Sequence, residues 1–150
     1  MKTAYTLLIL LMITPAYSSE FDEEFAVYSS NGSVETVAKK LEGAIKNRKL
    51  NIFQVIDHGA NAEKAGLKLL ASRVYVFGNP IIGTKLMQCA PSIAFDLPLR
   101  ISLRKAQDGA VMLEYRSIEN LARTHNLENC AEVVSKVSKM MKAIAIEALK

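Results

Sequence analysis

The chain has 150 residues, half of them hydrophobic, and a formal charge of +4. That length and composition describe one globular domain with a sizeable core and exclude an intrinsically disordered chain. So small a charge, with no aromatic residues interleaved among the basic ones to stack on bases, excludes nucleic acid as the expected partner.

Residues 1–18 have the order of a secretory leader: Lys2, an apolar run over 7–13, then Pro15-Ala16-Tyr17-Ser18, with cleavage expected after Ser18. The apolar run is far shorter than the roughly 20 residues a spanning helix needs. An exported domain, periplasmic or secreted, is therefore expected over 19–150, with no stable membrane insertion once the leader is gone. Lys2 is the leader's only charge, so the mature chain would carry +3. Export makes a disulfide between Cys89 and Cys130 chemically accessible. Their distance in sequence does not show whether they meet, and unpaired they would be small buried hydrophobes.

Residues 25–29 read as a short strand, followed by the turn Asn31-Gly32 and by Ser33 as a helix cap. Val34, Val37, Ala38, Leu41, Ala44 and Ile45 then recur at helical spacing, which predicts an amphipathic helix with one buried stripe. Lys39, Lys40 and Lys46 on its other side read as a solvated face. Residues 51–58 form the second strand. Strict alternation puts Phe53, Val55 and Asp57 on one face and Ile52, Gln54, Ile56 and His58 on the other. Asn61 is expected to cap a short helix over 62–67, broken by Gly66.

The third strand, 74–77, is apolar on both faces. It stops at Gly78-Asn79-Pro80, and the next clear strand begins only after Asp96-Leu97-Pro98. The intervening segment is too apolar to be disordered and carries Gly83, Thr84, Met87, Gln88 and Cys89. It reads as a long irregular connection folded onto the core or onto a ligand, and so as the first place to look for a site. Beyond it Leu99, Ile101 and Leu103 alternate with Arg100, Ser102 and Arg104. Asp108-Gly109 is a hairpin signal, and Val111, Leu113 and Tyr115 line one face of the returning strand. Ser117 is placed to cap a short helix. Asn129 with Glu132 resembles a capping box for a last helix whose stripe is Val133, Val134, Val137, Met140, Met141, Ile144 and Leu149.

This order predicts an α+β fold, an antiparallel sheet of four to five strands with two long helices packed on one face. The segments I-D-H-G-A-N-A (56–62), F-G-N-P-I-I-G-T-K-L-M-Q (77–88), D-L-P-L-R (96–100) and L-A-R-T-H-N-L (121–127) resemble the family known as domain of unknown function 302. The resemblance covers nearly all of the mature chain. It implies the same α+β fold in a β-α-β-rich order, commonly dimeric, and it implies no established activity, cofactor or substrate.

The residue types that carry chemistry each have a structural alternative. Asp57 and His58 are a candidate acid/base pair, but neighbours on a regular strand point to opposite faces. The simpler reading is a turn cap and a structural hydrogen bond. His58, His125 and Met87 are ligand types for a soft metal or haem, without any ligand spacing. Gly78-Asn79-Pro80 and Gly83-Thr84 offer a backbone nest for an anion, against an ordinary turn. Asp96 reads first as a turn carboxylate.

The expectation that follows is a non-enzymatic module that binds a small ligand or partner through Asp57, His58, Asn79, Gly83, Thr84, Met87, Gln88, Asp96 and His125. The alternatives are an acid/base enzyme, hydrolase-like, using Asp57, His58 and Asp96, and a metal or haem protein using His58, His125 and Met87. A homodimer across one sheet face is also expected, because the second and third strands are apolar on both faces. Tyr75 is the position chosen to test it, provided it lies on the face without helices.

Overall fold

The computed structural model describes residues 24–150. The expected leader over 1–18 lies outside the described residues. Strand β1 (Phe25–Ser30) leads through the Ser33 cap, whose hydroxyl accepts from the Thr36 amide, into helix α1 (Val34–Asn47). Strands β2 (Asn51–Asp57) and β3 (Ser72–Gly78) follow, separated by the short helix α2 (His58–Lys64). Helix α3 (Pro80–Cys89) and a 3-10 turn (Pro91–Phe95) come next, then the hairpin of β4 (Leu99–Lys105) and β5 (Val111–Arg116). Helix α4 (Ile118–His125), a second 3-10 turn (Glu128–Cys130) and helix α5 (Ala131–Leu149) complete the chain.

The five strands form one antiparallel sheet in the order β1-β5-β4-β3-β2. Helix α1 carries the chain from one edge strand to the other. The remaining strands then return as a meander that ends beside β1. Every buried strand residue belongs to one face: Tyr75 and Phe77, then Leu99, Ile101 and Leu103, then Val111, Leu113 and Tyr115. Helices α1 and α5 pack against each other over that face. The predicted α+β class and helix-covered sheet are observed. Each large core side chain removed from water there contributes roughly 1.5–3 kcal/mol. The opposite face carries Val27, Val74, Ser102, Arg104 and Glu114.

The structure corrects four details. Strict alternation in β2 fails because a bulge lies between Ile52 and Gln54, paired with Phe77 and Val76 respectively. Ile52 therefore shares the covered face with Val55 and Asp57, and Phe53 is the unpaired residue of the bulge. Helix α2 starts at His58, not at residue 62, and is capped by Asp57 rather than Asn61. The capping box at Asn129 is absent: α5 begins after Cys130 with no side-chain cap. Tyr75 is 1% exposed beneath the helices, so it cannot serve as the probe of a helix-free face, which Val74 and Val76 occupy instead.

The largest difference is the segment after β3. It is not an irregular connection but a ten-residue helix. The Asn79 side chain accepts from the Ile81 amide, and Pro80 sits at the first helical position, where its missing N–H costs nothing. The Asn79 amide also donates to the Lys49 carbonyl, which ties the start of α3 to the α1–β2 turn. At its other end Cys89 is bonded to Cys130, with Cα atoms 6.2 Å apart. The disulfide fastens α3 to the entry of α5.

Candidate ligand-binding sites

Two cavities are lined by several of the residues expected to bind ligand. The first is walled by α3. It has a volume of about 310 Å³ and is enclosed mainly by Phe53, Ile82, Leu86, Met87, Leu97 and Met140, with the backbone of Gly78 and Gly83 exposed to it. The bulge in β2 brings Phe53 to this wall. Gly83 faces Leu97, and a Cβ built at Gly78 would meet the Phe53 ring at 3.5 Å. Of the residues expected to bind ligand, Asn79, Gly83, Thr84 and Met87 line this cavity, whereas Gln88 is exposed on α3 and does not. Apart from Asn79 and Thr84 the walls are apolar, so what the pocket can do chemically is shield an apolar group from water.

The second cavity opens where the sheet splits. The β4–β5 ladder runs from Lys105 opposite Val111 only as far as Ser102 opposite Glu114. Beyond that point Leu99 to Ile101 remain paired to β3, while Tyr115 and Arg116 remain paired to β1. The cleft between the two halves has a volume of about 670 Å³. It reaches through the sheet to Leu121 on α4 and Met141 on α5, and Arg100, Arg116 and Asp96 stand at its rim. Tyr115 lines it. Burial, and then the neighbouring Tyr28 hydroxyl, pushes its phenol well above the ordinary value, so it stays neutral.

Asp96 and His125 are held together beside this cleft. His125 Nε2 lies 2.7 Å from Asp96 Oδ2, and Nδ1 lies 3.0 Å from the Ser92 hydroxyl. With a proton on Nε2 the ring donates to Asp96, and Nδ1 shares a hydrogen bond with the Ser92 hydroxyl. Arg116 donates to Asp96 Oδ1 at 3.2 Å and to Asn120 at 3.0 Å, and Arg100 approaches the same carboxylate at 3.9 Å. The side chains of Asp96 and His125 are only 10% and 9% exposed. The cluster therefore clasps the first 3-10 turn, β5 and α4. A hydroxyl–imidazole–carboxylate row is also the order of a nucleophilic hydrolase.

The expected trio of Asp57, His58 and Asp96 is not assembled. Asp57 accepts from the Ala60 amide at 2.9 Å and from Arg73 at 2.8 Å. Those two partners, in that order, hold its carboxyl below the usual aspartate range. It is a helix cap and ion-pair anion. His58 is exposed and lines the far part of the sheet cleft, away from Asp57's partners. The metal trio is likewise dispersed: both nitrogens of His125 are engaged, and Met87 faces the other cavity. Among the described residues no group of three or more His, Cys, Asp or Glu is arranged to hold a metal.

The depressed Asp57 carboxyl has a testable consequence. A folded pKa below the unfolded one gives stability that is fully present above the unfolded value near 3.9 and is lost as pH falls through the folded value. Asp57→Asn should therefore flatten the acid limb of the stability curve below about pH 4, and cost less than about 1 kcal/mol at neutral pH through the lost ion pair with Arg73, since Asn caps a helix about as well as Asp. Urea unfolding at pH 3 and pH 7 measures both. Identical pH dependence in the two proteins would contradict the assignment.

Sequence reasoning missed Ser92, Arg100 and Arg116. Ser92 carried no signal, and the two arginines read as the solvated side of an alternating hairpin.

The family model described as "Domain of unknown function DUF302" matches residues 25–144. The chain belongs to this family. Among curated proteins, "Fluoride-specific ion channel FluC 1" of Brucella suis biovar 1 (strain 1330) is 34% identical over 122 residues, 81% of this chain and 48% of the relative. The protein of the same name from Brucella abortus biovar 1 (strain 9-941) is 34% identical over the same share of this chain and 45% of its own. The chain thus spans about half the length of the curated relatives it matches. A solved structure of an uncharacterized conserved DUF302 protein from Bacillus stearothermophilus superposes with a TM-score of 0.76 at 12% identity, covering 85% of this chain and 99% of that one. This DUF302 chain accordingly shares that protein's fold. Among its described residues no helix is long and apolar enough to cross a membrane.

Proposed function

We propose that this DUF302 domain is a non-enzymatic module that binds a small apolar ligand in the pocket walled by α3. The observation that carries the reading is the pocket itself, about 310 Å³ with almost wholly apolar walls, built from the segment that sequence singled out. A cavity of that volume is at the lower end of small-molecule sites, and its few polar groups, Asn79 and Thr84, stand at one side where they would orient a ligand. The fluoride-channel name of the Brucella proteins is not carried over. We propose that it belongs to the part of those longer proteins outside the matched region. Native mass spectrometry of the protein purified from its own host tests the reading. Wild type should carry a small apolar molecule that Ile82→Trp, which fills the pocket, does not. Bare protein in both preparations would count against it.

Assembly is a second reading, with its own observation. Phe25 and Val27 are 51% and 53% exposed on the helix-free face of edge strand β1. A two-fold copy of the same face would cover them. Val27→Lys should then convert a dimer to a monomer at micromolar concentration with secondary structure intact. A wild type that sediments as a monomer at high concentration would contradict it.

A further inference from the structure

The geometry points to a second binding site, the cleft between β4 and β5, that takes a monocarboxylate with an apolar tail. Three features of the cleft converge on that chemistry. Its depth is apolar: Leu121 and Met141, both nearly inaccessible from outside, form the floor, and Ile56 and Val74 form the approach. An alkyl or aryl tail entering it would leave water on all sides.

Its rim has a cation to spare. Glu114 is occupied by Arg104, which donates to both its oxygens at 2.9 and 2.6 Å. Asp96 is closely held by Arg116 and His125. Among the described residues, Arg100, with a side chain 56% exposed, has only the distant oxygen of Asp96 at 3.9 Å. A guanidinium offers a planar fork matched to a carboxylate, and Arg100 is placed to use it.

The third feature is the backbone. The Lys105 amide bonds toward β3, to the Ala71 carbonyl, and the Ala106 amide bonds toward β5, to Ala110. By alternation, Arg104, Ser102 and Arg100 present their backbone groups to β5. Arg100 lies two residues beyond the last pair of the β4–β5 ladder, Ser102 with Glu114, which puts its amide on the cleft side of β4. Side chain and main chain of one residue thus supply donors at the mouth of an apolar slot.

Decanoate is a suitable probe and decanol its uncharged control, followed by amide chemical shifts in the isotope-labelled folded protein. Decanoate should saturate, shifting Arg100, Tyr115, Arg116 and Leu121, and decanol should bind about tenfold more weakly or worse. Arg100→Gln, at an exposed position, should keep the fold, lower decanoate affinity by a similar factor and remove the preference over decanol. Ile82→Trp, in the other pocket, should leave decanoate binding as in wild type. Equal affinity for the two probes, unchanged binding in Arg100→Gln, shifts confined to the α3 pocket, or no saturable binding at millimolar decanoate would each overturn the proposal.

Discussion

Breaking the Cys89–Cys130 bond is expected to cost about 3–4 kcal/mol, the largest effect of any change considered for this protein. The bridge closes a loop over a sequence separation of 41, and the entropy removed from the unfolded chain by closing such a loop is of that size. For a domain of this length the midpoint of thermal unfolding should fall by about 10 °C or more. The effect should not be confined to global stability. Helix α3 buries a single side chain, Leu86, so its position depends on its two tethers, Asn79 at the start and the disulfide at the end. Thermal unfolding with and without reductant, and of the Cys89→Ala/Cys130→Ala protein, measures the cost. Unchanged midpoints would contradict it.

Asp96→Ala should cost about 2–4 kcal/mol. The carboxylate accepts from His125 and Arg116 and is almost inaccessible, so its removal leaves the nearly inaccessible imidazole donor without an acceptor and takes from Arg116 one of its acceptors. Asp96→Asn keeps one acceptor oxygen and should cost less. Equilibrium urea unfolding of the three proteins gives the order wild type, Asn, Ala in falling stability. If all three unfold at one urea concentration, the clasp between the first 3-10 turn, β5 and α4 is not a source of stability.

The fold was legible where periodicity was regular. The stripe from Val34 to Ile45 and the alternation from Leu99 to Leu103 each had one solution, and the structure has it. Helix α3 was hidden because Pro80, Gly83 and Thr84 read as turn residues, although Asn-Pro is also how a helix starts when Asn caps it. The bulge at Phe53 was hidden because one extra residue leaves composition unchanged while reversing every face before it. The site was less legible than the fold. Asn79, Gly83, Thr84 and Met87 do meet around a cavity. Asp57 and His58 look like a chemical pair in sequence, yet Asp57 is spent on a cap and on Arg73. The Ser92–His125–Asp96 row spans 33 positions, and the split between β4 and β5 is a loss of pairing that no residue type announces.

The α3 pocket is tested most directly by titrating the isotope-labelled protein with toluene and following its amide and methyl resonances. Binding in the pocket predicts saturable shifts centred on Gly78, Gly83, Met87 and Leu97, abolished in Ile82→Trp while the rest of the spectrum is retained. Shifts that never saturate, or that persist unchanged in Ile82→Trp, would contradict it.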